Sequence, residues 1–344
     1  MTTITQSAAG AAFTPERPLH VHVENARSLM PVFIVRPDQY EKALARHRDV
    51  AVRIRTTWGF DQENYAEQAQ SADAIITYRF PKDTLSKDAP HLKLLQILGA
   101  GVDYLLPLDW VPTGVTILTN SGAHVPKAAQ SALMALLMLN ARLPELAASH
   151  KRHEWNRIFT TTLAGKALLI VGVGRIGGGA AEHARAFGMH VLGIRKSRAP
   201  HPACEEMHGP EMLHELLPRA DFVLLNAALT AETRFLFGAR EFALMRRGAG
   251  FINMSRGGLV DPAALDSALR VGQLGGALID VTYPEPPPKD WPYWDTPNLI
   301  ITPHVLSDDI DEYVPRTLDL FFDNVRRFFN GQPLTNVVDL ERQY

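Results

Sequence analysis

Short apolar runs, each followed by a stretch at helical spacing, set the rhythm of the chain. Leu168-Leu169-Ile170-Val171 is apolar at every position, which predicts a strand buried on both faces, the kind a parallel sheet contains. Residues 74–77, 94–98, 115–118, 191–194, 220–225, 250–253, 276–279 and 299–301 read in the same way. Residues 50–54 alternate apolar side chains with arginine, as a half-exposed strand does. A first strand opens over 20–23, and 32–35 is a strand or a turn. Helical spacing appears at Tyr40, Ala43 and Leu44, and Pro81 and Pro90 bracket a short helical piece. Residues 128–139 make a long apolar helix whose continuous hydrophobic face predicts burial between two domains. Ala180, Ala181, Ala184 and Phe187 recur at helical intervals until Gly188 ends the helix. Asp261-Pro262 caps a helix carrying Ala263, Leu265, Ala268 and Leu269. Leu318, Phe321, Phe322, Val325 and Phe328 mark a terminal amphipathic helix with Arg326 and Arg327 on its wet side. The alternation predicts an α/β protein of two doubly wound parallel-sheet domains. Residues 1–18 are small, polar and patternless, and read as a disordered tail rather than a signal peptide.

A length of 344 residues allows two domains of ordinary size. Hydrophobic and charged fractions of 46% and 21% are those of a soluble globular chain. No apolar run reaches the roughly eighteen residues of a membrane span. A net charge of −2, with no basic run longer than a few residues, argues against a nucleic-acid or membrane partner. Cys204 is the single cysteine, so no internal disulfide forms and a reducing, cytoplasmic compartment is expected. In its proline-rich loop it reads as a surface thiol, and no metal site is expected.

The run 168–171 leads straight into Gly172-Val173-Gly174-Arg175-Ile176-Gly177, at the G-x-G-x-x-G spacing. A strand, a tight glycine turn and a helix start make an anion site, because free N–H groups and the positive helix end converge on one point. Gly172 permits the turn, Gly174 lets a pyrophosphate approach the backbone, and Gly177 lets helix and strand pack closely. With Arg175 and Ile176 they are the residues expected to bind a dinucleotide. Roughly twenty residues on, an acidic side chain would hold the ribose hydroxyls of NAD(H). Arg195, Lys196, Ser197 and Arg198 stand there instead. Such cations attract a 2′-phosphate that a carboxylate repels, so NADP(H) is favoured and NAD(H) remains an alternative.

Three polar segments come after apolar runs further along: 253–258, 280–285 and 302–304. They deliver Arg256, Glu285 and His304 to the carboxyl edge of the sheet that carries the glycine turn. Carbonyl reduction beside a nicotinamide needs an arginine to grip a carboxylate and a histidine to protonate the carbonyl oxygen. It also needs a carboxylate to keep that histidine charged. A second glycine loop, 99–103, ends a strand in the first half of the chain, where open sheets place ligands.

Taken together these stretches resemble the D-isomer-specific 2-hydroxyacid dehydrogenase family, of the glyoxylate/hydroxypyruvate reductase kind. The resemblance is carried by 98–103, by Gly165-Lys166 ahead of the glycine turn, and by 229–234, 253–261, 280–286, 302–304 and 336–339. It implies a Rossmann cofactor domain, 124–308, inserted into a flavodoxin-like substrate domain made of 1–123 and 309–344. Arg256 would bind the substrate carboxylate and carbonyl, with His304 the acid/base and Glu285 its partner. Backbone N–H groups of Ala100, Gly101 and Val102 would hold the substrate carboxylate, and Asp280 would meet the nicotinamide amide. A homodimer joined through cofactor-domain surfaces is implied as well. The expected reaction is reduction of a small 2-oxo acid, such as glyoxylate or hydroxypyruvate, by NADPH to a D-2-hydroxy acid. Gln130, Ala228, Ser307 and Asp308 depart from the family's usual residues, the last two just after the histidine, where they reshape the pocket. Two other readings share the glycine turn: a cofactor-sensing binding protein without catalysis, and a dehydrogenase of another small anion such as formate or phosphite. Arg195 speaks against the latter, whose usual cofactor is NAD.

Overall fold

In a computed structural model, which describes residues 13–341, the apolar runs become strands of two wholly parallel sheets. One holds β1 (Leu19–Asn25), β2 (Ile54–Phe60), β3 (Ala74–Thr77), β4 (Leu94–Ile97) and β5 (Thr116–Leu118), in the order β2-β1-β3-β4-β5. The other holds β6 (Ala167–Val171), β7 (His190–Ile194), β8 (Glu206–His208), β9 (Phe222–Leu225), β10 (Ala249–Asn253), β11 (Leu274–Ile279) and β12 (Leu299–Ile301). Its order is β12-β11-β10-β9-β6-β7-β8. The chain divides into two compact units, Met1–His124 with Asp309–Tyr344, and Val125–Asp308, each built on one of the sheets.

Alternation along each strand feeds a separate core on either face. In β6, Leu169 and Val171 belong to one apolar cluster, with Phe251 and Ile279, while Leu168 and Ile170 join another with Ile252 and Leu278. In β4, Leu94 packs with Val21, Ile76 and the helix Tyr313–Phe329, whereas Leu95 and Ile97 face Ile75 and Leu85. Covering both faces is what makes each sheet doubly wound, and it explains why the strands read as continuous apolar runs. β1 is the exception in composition. Its odd-numbered residues Leu19, Val21 and Val23 are core, but His20, His22 and Glu24 on the other face are equally buried. They satisfy one another through a hydrogen-bonded chain. Ser71 Oγ meets His20 Nδ1 (3.1 Å), His20 Nε2 meets Thr57 Oγ1 (2.8 Å), and Thr57 Oγ1 meets His22 Nδ1 (3.0 Å). His22 Nε2 then reaches Glu24 Oε2 at 3.0 Å. One direction of donation, from Ser71 inward to Glu24, serves every group in the chain.

Several local expectations are corrected. Residues 50–54 are not a strand: Arg48–Ala51 is a helical turn that buries Val50, and β2 starts at Ile54. Apolar residues four apart suit a helix turn as well as a short strand, so five residues could not decide between them. Residues 32–35 resolve as a 3₁₀ turn, Pro31–Phe33. β8, Glu-Met-His, has no apolar run and was not expected; it is a half-buried edge strand. Within the stretch expected to be a tail, Phe13 is buried against Phe328 and Phe329, and its carbonyl accepts a hydrogen bond from Arg53 Nε (2.8 Å). The rest of that expectation, 1–12, lies outside the described residues. Cys204 is not a surface thiol: it is half-buried against the core behind β6, and burial raises its pKa. Arg326 and Arg327 lie off the buried face of their helix, as expected, with Arg326 pairing with the exposed Asp49 at 2.6 Å. Among the described residues no single helix is long and apolar enough to cross a membrane.

Candidate active site

The ends of six strands share one register row, Ile194, Val171, Leu225, Asn253, Ile279 and Ile301. Everything delivered just past that row therefore arrives at the same edge. The sheet's order reverses between β6 and β9, because the chain runs out to β7 and β8 and returns on the other side of β6. Open α/β sheets bind ligands in the crevice such a reversal creates.

The glycine turn sits at that point. Gly172 takes φ +105°, and a Cβ there would fall 2.4 Å from the Asn226 carbonyl oxygen. A Cβ on Gly177 would fall 2.4 Å from the Gly172 carbonyl oxygen. The chain's own packing thus demands both glycines. Gly174 is different, since nothing lies within 4 Å of where its Cβ would stand. It caps the helix Arg175–Ala186, at whose start the N–H groups have no intrahelical partner. The bare backbone at Gly174 leaves room for a phosphate beside those N–H groups, so the turn fits a dinucleotide.

Past β7 the basic segment is present, and each cation has a partner. Arg195 donates from Nε to the Ala199 carbonyl (2.8 Å) and from Nη2 to the Pro200 carbonyl (2.9 Å). Lys196 pairs with Glu232 at 3.3 Å, and Arg198 with Glu211 at 2.8 Å. The Ser197 hydroxyl accepts from the Ala199 N–H at 3.4 Å. The segment 196–200 is exposed.

Past β10, the buried side chain of Asn253 ties the next loop, donating to the Arg256 carbonyl and accepting from the Ser255 N–H, both at 3.1 Å. Gly257 lets this loop close on the one after β11, for a Cβ there would fall 1.9 Å from the Thr282 carbonyl oxygen. That contact sets Arg256 near Glu285. Its charge lowers the pKa of both Glu285 and His304, as a minor contribution to each.

His304 Nδ1 and Glu285 Oε1 lie 2.6 Å apart. The other Glu285 oxygen accepts from the Thr282 N–H at 3.3 Å. Burial by itself would raise the Glu285 carboxyl, but the hydrogen bond and charge of His304 outweigh it, and the net shift is downward. The His304 imidazole moves the opposite way. The Glu285 hydrogen bond raises it, against burial and the Arg256 charge. With Nδ1 donating to Glu285, Nε2 is the nitrogen able to give up a proton.

Asp280 has a part that sequence reasoning missed. Its carboxylate is 2% exposed and is committed to the loop carrying the histidine. Thr302 Oγ1 (2.6 Å) and the Val305 N–H (3.0 Å) donate to Oδ1, and the Leu306 N–H (3.1 Å) donates to Oδ2. The His304 N–H donates to the Asp280 carbonyl at 2.8 Å, holding His304 at φ +55°. A non-glycine residue in that left-handed conformation persists only where its surroundings impose it. Burial raises the Asp280 pKa, partly offset by these donors. The signal available in the sequence was Thr302, a hydroxyl two residues ahead of the histidine.

The structure thus brings Arg256, Glu285, His304 and Asp280 to one edge, together with the glycine turn and the segment 195–198. Ala100, Gly101 and Val102 lie in the other unit, past β4, with Val102 buried and the first two half-buried.

A doubly wound sheet with a glycine turn at its switch point and a histidine–carboxylate pair on the same edge defines a dinucleotide-dependent oxidoreductase scaffold. The model of the D-isomer specific 2-hydroxyacid dehydrogenase NAD-binding domain matches residues 133–305. Glyoxylate/hydroxypyruvate reductase B of Escherichia fergusonii is 34% identical over 254 residues, covering 71% of this chain and 78% of that one. D-3-phosphoglycerate dehydrogenase of Methanocaldococcus jannaschii is 31% identical over 295 residues, which is 83% of this chain but 55% of that longer one. A crystal structure of a D-isomer specific 2-hydroxyacid dehydrogenase from Xanthobacter autotrophicus Py2, in complex with NADPH and MES, superposes with a TM-score of 0.80 at 27% identity. It covers 94% of this chain and 99% of that one. The chain belongs to the D-isomer specific 2-hydroxyacid dehydrogenase family, whose members are NAD(P)-dependent oxidoreductases.

Proposed function

We propose that the protein reduces a small 2-oxo acid of the glyoxylate or hydroxypyruvate type with NADPH, giving the D-2-hydroxy acid where a stereocentre forms. The observation that carries this reading is the 2.6 Å contact between His304 and Glu285 at the edge of the sheet that bears the glycine turn. Gly172, Gly174, Arg175, Ile176 and Gly177 would hold the pyrophosphate, with Asp280 near the nicotinamide amide. Bound there, the dihydronicotinamide supplies the hydride that reaches the substrate's carbonyl carbon. Arg256 binds the substrate carboxylate through paired N–H donors and lies beside the carbonyl oxygen. The backbone N–H groups of Ala100, Gly101 and Val102 are the proposed further donors to the substrate carboxylate. His304, kept charged by Glu285, releases its Nε2 proton to the carbonyl oxygen as that oxygen gains negative charge. Asp280 keeps the histidine loop in the one conformation that aims the ring.

Arg195, Lys196 and Ser197 are the proposed contacts to the 2′-phosphate, in keeping with the NADPH complex of the Xanthobacter relative. A homodimer joined through cofactor-domain surfaces belongs to the same proposal. So does a reducing, cytoplasmic setting, which rests on the single cysteine. Initial rates with NADPH and NADH against glyoxylate, hydroxypyruvate and pyruvate test the reading, and no oxidation of either cofactor with any acid refutes it. Arg195→Asp is expected to weaken NADPH binding by about 1–3 kcal/mol for each charge-assisted hydrogen bond removed, while sparing NADH. Fluorescence titration with both cofactors measures this, and equal weakening of the two removes Arg195 from 2′-phosphate recognition.

A further inference from the structure

The carboxyl edge of the five-stranded sheet carries a stack of aromatic rings that no step of the proposed reaction uses. Phe33 and Tyr78 stack with centroids 4.8 Å apart, and Tyr78 and Tyr104 stack at 5.6 Å with their planes within 10°. Tyr313 closes the inner end, meeting Phe33 edge-on at 5.4 Å. The three stacked rings come from just past the ends of different strands, and each is held there by its own backbone clamp. The buried Asn25 amide exchanges two 3.0 Å hydrogen bonds with the Val35 backbone, fixing the turn that bears Phe33. The buried Thr77 hydroxyl accepts from the Arg79 N–H (3.2 Å) and donates to the Arg79 carbonyl (2.8 Å), which fixes Tyr78 between them. Tyr104 lies in the 3₁₀ turn Asp103–Leu105, closed by the Leu105 N–H on the Val102 carbonyl at 2.9 Å.

The stack lies against the glycine loop. A Cβ on Gly99 would stand 3.9 Å from Tyr78 Cε2, and Tyr104 comes two residues after Val102. Phe33 is buried, whereas Tyr104, at the outer end, is 44% exposed. The strand order β2-β1-β3-β4-β5 reverses between β1 and β3, so Phe33 and Tyr78 flank this sheet's own switch point.

We infer that Tyr104 is the surface on which the substituent of the 2-oxo acid packs, so that the reductase also takes acids with a flat apolar substituent, as the arylpyruvates have, and binds them more tightly than glyoxylate. This rests on the reductase reading above, with the substrate carboxylate on Ala100–Val102. The substituent is then two carbon–carbon bonds from the carboxylate carbon, about 2.5 Å away. It must touch whatever flanks the loop. The flanking group is a ring held flat in advance by the stack behind it, so little conformational freedom is lost when an incoming ring lies along it. Glyoxylate has only hydrogen at this position and gains nothing from the ring.

Steady-state rates with NADPH against phenylpyruvate, glyoxylate and 3-phosphohydroxypyruvate, for the wild type, Tyr104→Phe and Tyr104→Ala, test the inference. The wild type is expected to show a KM for phenylpyruvate about tenfold or more below that for glyoxylate. Tyr104→Ala is expected to lower kcat/KM for phenylpyruvate about tenfold more than for glyoxylate, through KM, and Tyr104→Phe is expected to retain the preference. A preference for the phosphorylated acid, or a phenylpyruvate-to-glyoxylate ratio that Tyr104→Ala leaves in place, overturns it. If Tyr104→Ala does not fold, Tyr104→Leu, which keeps the bulk but not the flat face, replaces it under the same criterion. Failure to reduce any of the acids would instead contradict the reductase reading itself.

Discussion

Replacing His304 with glutamine is expected to lower the reductive kcat by roughly 10²–10⁴-fold, the range typical of losing a positioned general acid. The loss should fall on kcat more than on KM, because His304 meets the oxygen most strongly once negative charge has developed there. Glutamine can still hydrogen-bond to Glu285, so the fold of the loop should survive, held as it is by the donors to Asp280. Cofactor titration and thermal unfolding should match the wild type. A variant turning over within a few-fold of the wild type would exclude His304 as the proton donor.

Arg256→Gln should be nearly as damaging. Removing a guanidinium that grips a carboxylate leaves that anion without its charged partner, at a cost of about 2–5 kcal/mol. In kcat/KM this is roughly 30- to 5,000-fold. KM should rise, since the carboxylate is bound before and during reaction, and kcat should fall to the extent that Arg256 also meets the carbonyl oxygen. Arg256→Lys should recover only part of the loss, because an ammonium cannot make the paired planar contact. The Asn253 ties to this loop run through the Arg256 carbonyl, so the backbone should keep its place in either variant. Saturation curves for glyoxylate and hydroxypyruvate separate the two parameters. An unchanged KM in Arg256→Gln would take the arginine out of substrate binding.

Much of the fold was legible in the sequence because parallel strands buried on both faces are written as apolar runs. Leu168 to Val171 is such a run, and the two cores on either side of it explain why no polar residue interrupts it. Residues just after a run then fall at the sheet edge by geometry alone, and this is why Arg256, Glu285 and His304 could be placed together without any contact in view. Features whose cause is not periodic stayed hidden. β8 is an edge strand with no apolar face to declare it. Val50 is buried from a helix turn too short to tell from a strand. Phe13 is a lone aromatic whose partners, Phe328 and Phe329, sit at the far end of the chain. The polar face of β1 was opaque for another reason: two histidines and a glutamate are tolerable inside only because Thr57 and Ser71 satisfy them, and those residues lie on separate segments. Asp280 reads in the sequence as a cofactor contact, and its further part in holding the loop that carries His304 had no periodic pattern to announce it.

All of the proposed chemistry depends on Glu285 keeping His304 charged, so that the ring has a proton to give. The folded His304 pKa is raised above its ordinary value chiefly by the Glu285 hydrogen bond, while burial and Arg256 pull it down. The protonated, active form is therefore fully present at low pH and is lost as pH rises through the raised value. Glutamine at position 285 removes the main raising influence and leaves burial and Arg256 opposed only by the smaller effect of the Asp280 charge, so the loss begins at lower pH. The decisive experiment is the pH dependence of reductive kcat/KM for the wild type and Glu285→Gln. The wild type should hold a plateau at low pH, and the fall on its alkaline side should begin at lower pH in Glu285→Gln. Superimposable profiles would show that Glu285 does not set the charge of His304, and the proposed proton transfer would fail with it.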